Sequence, residues 1–521
     1  MDLMAKSLRI NRFLWLLPVI AAVVIGALQL SQPHALFGVQ QYDDGAYLAG
    51  TLQLLSGKLP YKDFVFVQPS GTLLLLAPIA AIGHVASLRL VVAISRCLTV
   101  LAVIADITLA CLIVKHRGLA ATITTGAILA IYPATFSADR AFLIEPWLDL
   151  FILLGIKSLF TKDQLASGKR IFVAGLLIGI AGTLKAMAVV IAVVCLLLLI
   201  NQVSRCVRLL FGIIVGFAIP TLPFFALAPS QYIHDVIISQ LTRNSATTTP
   251  ILARLAFLLG TRQNGIGPDS IPGMESLARI IAIIIGVILF LFLLLPILKR
   301  KNDDVRRTFH TFSLLAVLAT GVSMMIPQIF YAHYGWYFIP FLAMGLGLSL
   351  DNALRSIGML FTKTKFRTAT IATAGLLCLL IGISAIRIAI GTASYSDNII
   401  RQAGDPGPAI ASVVPPHTCT LSDAAILLIT ADRYDTSNKC PDLVDATGAW
   451  LALDPNHPER SHGKLSQQLI NDWKMWFAQS QYVVLSKPTT FRIPWNAALE
   501  KYFANRFYLY RVKGAFIYKR R

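Results

Sequence analysis

The feature of this sequence that most constrains its fold is a series of apolar runs about as long as a membrane is thick. A helix of about 20 apolar residues crosses a hydrocarbon core of roughly 30 Å. With 56% hydrophobic and only 14% charged residues, the 521-residue chain is too apolar for an ordinary soluble protein. We therefore predict a polytopic α-helical membrane protein with eleven transmembrane helices. The predicted spans are 13–30, about 90–114, 119–134, 147–160, 171–184, 186–201, about 207–228, 276–298, 310–326, 338–350 and 368–388.

The basic residues indicate how these spans are oriented. A net charge of +20 could also belong to a nucleic-acid-binding protein. Here, however, the lysines and arginines form short clusters that all fall on one side of the membrane if the spans alternate. Cytoplasmic loops carry such an excess. We predict a plasma-membrane protein with a cytoplasmic N-terminus, an outer C-terminus and no nucleic-acid partner. The clusters lie near the N-terminus and within 115–117, 157–170, 205–208, 299–307 and 355–367.

The C-terminal end of the chain has a different composition. From residue 391 onwards, charged residues mix with short apolar runs, as in a water-soluble fold. We predict two domains, a transmembrane domain over 1–390 and a small extracytoplasmic α/β domain over 391–521. Periodicity predicts helices at LSQQLINDWKMWFAQ and WNAALEKYFANRF, and strands at CTLSD, QYVVLS and YRVKGAFIYK. Because thiols oxidise outside the cell, we expect Cys419 and Cys440 to form a disulfide.

Within the membrane part, polar residues gather at the predicted outer ends of the spans. The first outer loop opens with an acidic pair in Tyr42-Asp43-Asp44-Gly45-Ala46-Tyr47. Adjacent carboxylates beside a membrane are costly unless they are solvated or used in function. Asp is also favoured in the first turn of a helix, so both interpretations stay open. The loop continues through Gln68-Pro69-Ser70-Gly71 to an apolar stretch, 72–83, which is too short to span and is predicted to be interfacial.

Further candidates lie in the other predicted outer loops. Lys185 is at the tip of a hairpin between two apolar spans, where a lysine either snorkels or meets a lipid phosphate. His333 and Tyr334 belong to FYAHYGWYF, which is also typical of an aromatic belt. Carboxylates, cations and a histidine on one membrane face favour an interfacial catalyst over a transporter, whose polar residues lie mid-span. The remaining candidates are Arg140, Glu145 and Arg243.

At these residues the sequence resembles the GT-C superfamily of polyprenyl-phosphate-sugar-dependent glycosyltransferases. The most similar patterns are those of protein O-mannosyltransferases and lipid A aminoarabinose transferases. The sequence as a whole is similar to those of actinobacterial members of the superfamily. The acidic motif resembles their D-E-x-x-Y, and the Gln68 turn stands where they have K-P-P-L. Arg89-Leu90 is similar to the Arg-Leu that opens their next span, and Thr183-Leu184-Lys185-Ala186 is similar to their L-T-K-G hairpin. The resemblance implies a GT-C-like fold with interfacial helices in the first outer loop.

The resemblance also implies an activity. The protein would transfer a hexose or pentose, such as mannose or arabinofuranose, from a polyprenyl-phosphate-sugar donor to an envelope glycan, glycolipid or protein acceptor. Transfer would take place on the outer face of the membrane, among its lipids, with inversion of the anomeric centre. Phosphate leaves readily, so the reaction needs a base for the acceptor hydroxyl and cations for the departing phosphate. No cofactor is required and no metal ligand is assigned, although the carboxylates would suit a divalent cation.

Each candidate residue receives a role from this resemblance, with Asp43 as the general base. A flippase or transporter of lipid-linked sugars, and a non-catalytic subunit of an envelope-synthesis complex, stay open as alternatives. The assigned residues are Asp43, Asp44 and Glu145 as catalytic groups, Lys185, Arg243 and His333 as donor-phosphate ligands, and Tyr47, Gln68, Arg140 and Tyr334 as substrate contacts.

Overall fold

The computed structural model describes residues 13–138, 140–242, 249–260, 275–299, 304–327, 329–360, 383, 386–395, 397–398, 400–453 and 466–521. It is mostly helical, with a small mixed sheet near the C-terminus. The helices before residue 361 are α1 Leu17–Leu30, α2 Tyr42–Leu55, α3 Gly71–Ala80, α4 Leu88–Val114, α5 Leu119–Ile131, α6 Thr135–Ala138, α7 Ile144–Leu159, α8 Lys169–Leu184, α9 Ala188–Leu198, α10 Val203–Leu227, α11 Pro229–Tyr232, α12 Ser239–Leu241, α13 Ile251–Leu258, α14 Glu275–Lys299, α15 Asp304–Met325 and α16 Gly335–Leu360.

Several of these helices have the length and apolar composition of membrane-spanning helices. Among the described residues, five are long and apolar enough to cross one, and these are Leu88–Arg117, Val203–Leu227, Ile280–Leu298, Thr308–Met325 and Ala332–Ser356. A helix covers most of each of the first ten predicted spans. The last predicted span, 368–388, lies largely outside the described residues, so the total of eleven stays a prediction. The protein is a multi-pass integral membrane protein.

Helices α8 and α10 pack closely against each other at glycine residues. A Cβ atom on Gly175 would lie 2.2 Å from the carbonyl oxygen of Leu209, and one on Gly212 would lie 2.3 Å from that of Phe172. Gly179 and Gly216 repeat this contact one turn further along each helix. Small residues four apart let helix backbones approach closely inside a membrane, where packing rather than hydrophobicity drives association. The two helices therefore run in parallel with their backbones in contact.

The C-terminal sheet consists, in spatial order, of β3 Thr420–Ser422, β4 Tyr482–Leu485, β6 Phe516–Arg520 and β5 Phe507–Val512. Strands β3 and β4 are parallel, and the other neighbouring pairs are antiparallel. Helices of this region cover the sheet, and the sulfur atoms of Cys419 and Cys440 are bonded. A two-stranded hairpin, β1 Phe160–Thr161 and β2 Gln164–Leu165, precedes it in the chain. The C-terminal elements are α17 Gly407–Ala411, β3 Thr420–Ser422, α18 Ala425–Thr430, α19 Ala446–Leu453, α20 Gln467–Gln479, β4 Tyr482–Leu485, α21 Ala497–Arg506, β5 Phe507–Val512 and β6 Phe516–Arg520.

One prediction for this region is wrong. The segment YRVKGAFIYK was expected to be a single final strand, but it belongs to two strands, β5 and β6, that pair as a hairpin. Gly514 lies at the turn with φ of +70°, a conformation that glycine adopts without steric cost. The alternation of Tyr510-Arg511-Val512-Lys513 stops at this glycine, which marks the turn. The other predicted strands and both predicted helices are present.

Candidate active site

The acidic pair occupies the first turn of α2, where the two carboxylates have different surroundings. Gln41 is extended before the helix begins at Tyr42, so the charges of Asp43 and Asp44 face the positive end of the helix dipole. Successive residues on a helix point about 100° apart. Asp44 is therefore fully buried against α4, whereas Asp43 is partly exposed. Of the pair, Asp43 is the carboxylate that a substrate can reach.

Asp44 is paired with Arg96, a residue in the first half of α4. The Arg96 Nη2 donates to Asp44 Oδ2 at 2.7 Å and Nε donates to the same oxygen at 3.3 Å, while Nη1 donates to the carbonyl oxygen of Ala35 at 3.1 Å. Both side chains are almost completely buried. This ion pair fixes α2 on the helix bundle and thereby sets the direction in which Asp43 points.

We expect Arg96→Met to destabilise the fold, because it leaves the Asp44 carboxylate buried without its partner. Removing one member of a buried ion pair costs about 3–5 kcal/mol. The melting temperature of the purified protein in detergent should fall clearly. The double variant Arg96→Met/Asp44→Asn should recover part of the loss, since no buried charge remains. An unchanged melting temperature for Arg96→Met would show that the pair does not hold α2 in place.

A second buried ion pair joins Lys185 and Glu145. The Lys185 Nζ lies 2.5 Å from Glu145 Oε1, and the two side chains are 13% and 2% exposed. Lys185 follows α8 in an extended conformation, and Glu145 is in the first turn of α7. Burial acts to lower the pKa of Lys185, but the Glu145 carboxylate outweighs it and the pKa is raised. Lys185 therefore remains a cation at neutral pH.

Aromatic side chains complete the surroundings of this lysine. The Nζ of Lys185 lies 4.1 Å from the centroid of the Tyr334 ring, a cation–π contact. The Nε2 of His333 is 3.8 Å from Glu145 Oε1, and the His333 ring stacks on Tyr331 with centroids 5.4 Å apart. His333 is buried, and its imidazole can form a hydrogen bond to a phosphate.

Asp43 and Tyr47 lie one helical turn apart and face the same cluster. The charge of Asp43 acts on both Lys185 and Tyr47, and that of Glu145 acts on Tyr47 as well. Burial, followed by these two carboxylates, raises the pKa of Tyr47 well above its ordinary value. Tyr47 is therefore a neutral phenol, able to donate a hydrogen bond. The structure thus gathers six sequence-predicted residues in one place, Asp43, Tyr47, Glu145, Lys185, His333 and Tyr334.

The Gln68 turn lies against the lysine hairpin. A Cβ atom on Gly71 would be 2.1 Å from Thr183 Oγ1, and the hydroxyl of Thr72 donates to the carbonyl of Leu184 at 3.4 Å. Gln68 itself is half-buried, and its carbonyl accepts a hydrogen bond from the Tyr61 hydroxyl at 2.7 Å. The start of α3 therefore holds the hairpin that presents Lys185.

Besides Asp44 and Gln68, two more predicted site residues are not part of this cluster as the structure describes it. Arg140 is buried, and its Nη1 lies 2.5 Å from Asp397 Oδ1, in an ion pair that reaches the chain beyond residue 390. Arg243 lies outside the described residues. In the described part of the chain, His, Cys, Asp and Glu side chains form no group of three or more that could hold a metal ion. Of the three carboxylates considered for a cation, Asp44 is paired with Arg96 and Glu145 with Lys185.

Sequence reasoning missed the part that the C-terminal region plays at α2. The Tyr42 hydroxyl donates to Asp445 Oδ1 at 2.7 Å and accepts from the Thr447 amide at 3.1 Å. The Arg492 guanidinium lies 4.5 Å from the centroid of the Tyr42 ring. A Cβ atom on Gly45 would come within 2.4 Å of the Ile426 amide nitrogen. A glycine inside the acidic motif was the signal that another backbone approaches there.

Solved structures with a similar fold include two of ArnT from Cupriavidus metallidurans. The structure bound to undecaprenyl phosphate matches with a TM-score of 0.59 and 15% identity, covering 96% of this chain and 97% of that one. The apo structure matches with a TM-score of 0.58, at the same identity and coverage. An Archaeoglobus fulgidus oligosaccharyltransferase tethered with an acceptor peptide gives a TM-score of 0.51 and 12% identity, covering 91% and 69%.

No protein-family model matches the sequence, and no curated protein matches it either. At 12–15% identity, likeness to solved structures shows the fold alone. The chain is thus a multi-pass membrane protein with an ArnT-like fold, including the C-terminal mixed sheet. This architecture agrees with the GT-C-like fold that the sequence motifs imply.

Proposed function

We propose that this protein is a membrane glycosyltransferase that takes its sugar from a polyprenyl-phosphate donor. The observation that carries the proposal is the buried Lys185 cation, held by Glu145 within electrostatic reach of the accessible Asp43. A cation for a phosphate and a carboxylate for a hydroxyl proton are the two groups that such a transfer needs. The fold likeness to a protein solved with undecaprenyl phosphate supports the same class of donor.

In the proposed reaction, Asp43 accepts the proton of the acceptor hydroxyl as its oxygen attacks the anomeric carbon. The bond between that carbon and the phosphate oxygen breaks, and its electron pair leaves with the polyprenyl phosphate. Lys185 stabilises the charge on the leaving phosphate, while His333 and Tyr47 are placed to donate hydrogen bonds to it or to the sugar. Attack from the side opposite the phosphate inverts the anomeric centre. Glu145 orients Lys185, and Asp44 positions Asp43 through the packing of α2.

A flippase for lipid-linked sugars is the second candidate, and two further carboxylates favour it. Asp106 on α4 and Asp149 on α7 are fully buried, and the helices that carry them pack together. The Trp336 Nε1 donates to Asp106 Oδ2 at 3.2 Å, whereas Asp149 has no hydrogen-bond partner in the described structure. Ionisable residues inside a membrane often mark a transport path. The site around Lys185 lies at the helix ends instead, which favours transfer.

A donor-turnover assay tests the proposal. The purified protein in nanodiscs would be given radiolabelled polyprenyl-phosphate mannose, arabinofuranose or galactose together with a mixture of envelope glycans as acceptors. We expect one donor to be consumed, with release of polyprenyl phosphate and transfer of the label to an acceptor. Movement of the intact donor between leaflets of a liposome, without its consumption, would instead identify a flippase. Binding of polyprenyl phosphate with neither outcome would favour a non-catalytic subunit.

The same proposal includes the position of the protein in the cell. We infer a plasma-membrane location with the C-terminal region and the Lys185 site on the outer side, from the lysine and arginine clusters of the predicted cytoplasmic loops.

A further inference from the structure

We propose that a cleft of 780 Å³ next to the candidate active site binds the acceptor, and that this acceptor is a polyhydroxylated chain without acidic groups. The proposal rests on the proposed transferase function and deepens it by naming the class of acceptor. Three segments line the cleft, namely residues 61–65 of the loop between α2 and α3, residues 230–238 after α10, and parts of the C-terminal region. Its volume lies within the range of about 300–1,000 Å³ that is usual for ligand sites.

The charge of the cleft is opposite to that of the protein. The chain carries a net charge of +20, yet four carboxylates line this cleft against one lysine and one histidine. Carboxylate oxygens only accept hydrogen bonds, and they accept strongly from hydroxyl groups. A concave surface with an excess of one charge sign concentrates its field, so an acidic ligand is repelled. The carboxylates are those of Asp63, Asp235, Asp442 and Asp472.

Specific contacts hold these carboxylates in position. Asp442 Oδ1 accepts from Trp476 Nε1 at 2.8 Å, and Asp235 Oδ1 lies 3.2 Å from Nδ1 of His234. Asp235 is only 5% exposed. Asp442 and Asp472 both line the cleft, and burial and the nearby charge of Asp442 raise the pKa of Asp472. A metal ion is disfavoured as that ligand, because no group of three suitable side chains occurs in the described structure.

Aromatic and apolar surface lies between the acids. The Tyr61 ring packs edge-on against Tyr232 with centroids 4.8 Å apart, and Tyr61, Trp476 and Met475 line the cleft. Sugars present apolar C–H faces as well as hydroxyls, and a lining that mixes apolar area with a few fixed polar groups suits them. A lipid tail would require a largely apolar lining, which this cleft does not provide.

The C-terminal region connects the cleft to the first turn of α2, which carries the proposed base. Val444 lines it, and the next residue, Asp445, accepts the hydrogen bond from Tyr42, which immediately precedes Asp43. An acceptor chain seated against Val444 therefore lies beside the first turn of α2. The terminal sugar of such a chain would reach towards Asp43, while the rest of the chain occupies the cleft.

Direct binding tests this proposal without any donor. The full-length protein in nanodiscs would be titrated with neutral mannotetraose and, separately, with acidic tetragalacturonate, with binding followed by calorimetry. We expect mannotetraose to bind at least about tenfold more tightly than tetragalacturonate, because each charge-assisted hydrogen bond lost or opposed changes affinity by roughly that factor. The double variant Asp63→Asn/Asp472→Asn should weaken mannotetraose binding about tenfold. It should also reduce the difference between the affinities for mannotetraose and tetragalacturonate.

Glu500→Gln is the matched control, because Glu500 is an exposed carboxylate of α21 that does not line the cleft. It should leave both affinities unchanged. Equal or tighter binding of tetragalacturonate, or no sugar binding at all, would overturn the proposal. So would Ca²⁺ binding that is abolished by the double variant while sugar binding is unaffected. Failure of the transferase proposal would look different, because the parent protein would then bind mannotetraose but consume no polyprenyl-phosphate-sugar donor.

Discussion

Asp43→Asn is expected to lower turnover by about 10²–10⁴-fold, the usual loss when a general base is removed. Asparagine keeps the size of aspartate and can stand in the first turn of α2, so folding and membrane insertion should be unaffected. It cannot take the proton of the acceptor hydroxyl. Single-turnover measurement with saturating labelled donor, alongside donor binding, separates a loss of chemistry from a loss of affinity. Donor affinity should change little.

Asp44→Asn is the control within the same motif. Since Asp44 is buried against Arg96, its replacement should reduce the melting temperature more than it reduces the rate of the folded fraction. If Asp43→Asn kept at least about a tenth of parental turnover while Glu145→Gln lost it, the base would be assigned to the wrong carboxylate of a correct site. If Asp43→Asn, Asp44→Asn and Glu145→Gln all left turnover unchanged, the proposed mechanism would be wrong.

Lys185→Met is expected to weaken donor binding by about 10- to 100-fold, the value of a hydrogen bond to a charged group in a buried site. Lys185→Arg should lose less, because the positive charge remains. Methionine also leaves Glu145 buried and unpaired, which destabilises the fold on its own. The double variant Lys185→Met/Glu145→Gln removes both charges and separates these effects. It should regain stability without regaining affinity for polyprenyl phosphate.

Binding of polyprenyl phosphate to these variants would be measured by native mass spectrometry of the protein in detergent. Parental affinity in the double variant would show that Lys185 serves only to neutralise Glu145. A double variant that is as unstable as the single variant would show that the ion pair is not the source of the instability.

The sequence predicted the helices and the region of the site because both depend on local patterns. Apolar runs reveal their lengths, and the acidic first turn of α2 is favoured by the helix dipole. The division of roles between Asp43 and Asp44 could not be predicted, since it depends on Arg96, which lies 52 residues away in the chain. Arg96 lies within the predicted span 90–114, and nothing in its local sequence identifies its partner. Which face of α2 meets α4 is a tertiary property that no local pattern specifies.

Dependence on tertiary contacts also explains the other differences between the sequence-based predictions and the structure. Lys185 and Glu145 were placed on one side of the membrane, but their pairing required the packing of α7 against α8. Arg140 lay in the same predicted segment as Glu145, and its partner Asp397 lies 257 residues further along the chain. The contacts of the C-terminal region with Tyr42 and Gly45 are equally distant in sequence. Residue types therefore indicated what the site contains, and tertiary contacts decided how its members are grouped.

The glycine contact between α8 and α10 has a consequence for substrate selection. α8 leads directly to Lys185, and α10 leads directly to residues 230–238 of the cleft. Because backbone touches backbone at Gly175 and Gly212, neither helix can slide along the other without breaking that fit. The packing of these helices therefore fixes the distance between the proposed donor-phosphate site at Lys185 and the proposed acceptor cleft. Under the proposed function, an acceptor whose reactive hydroxyl stands one sugar too far from the cleft would bind and remain unmodified.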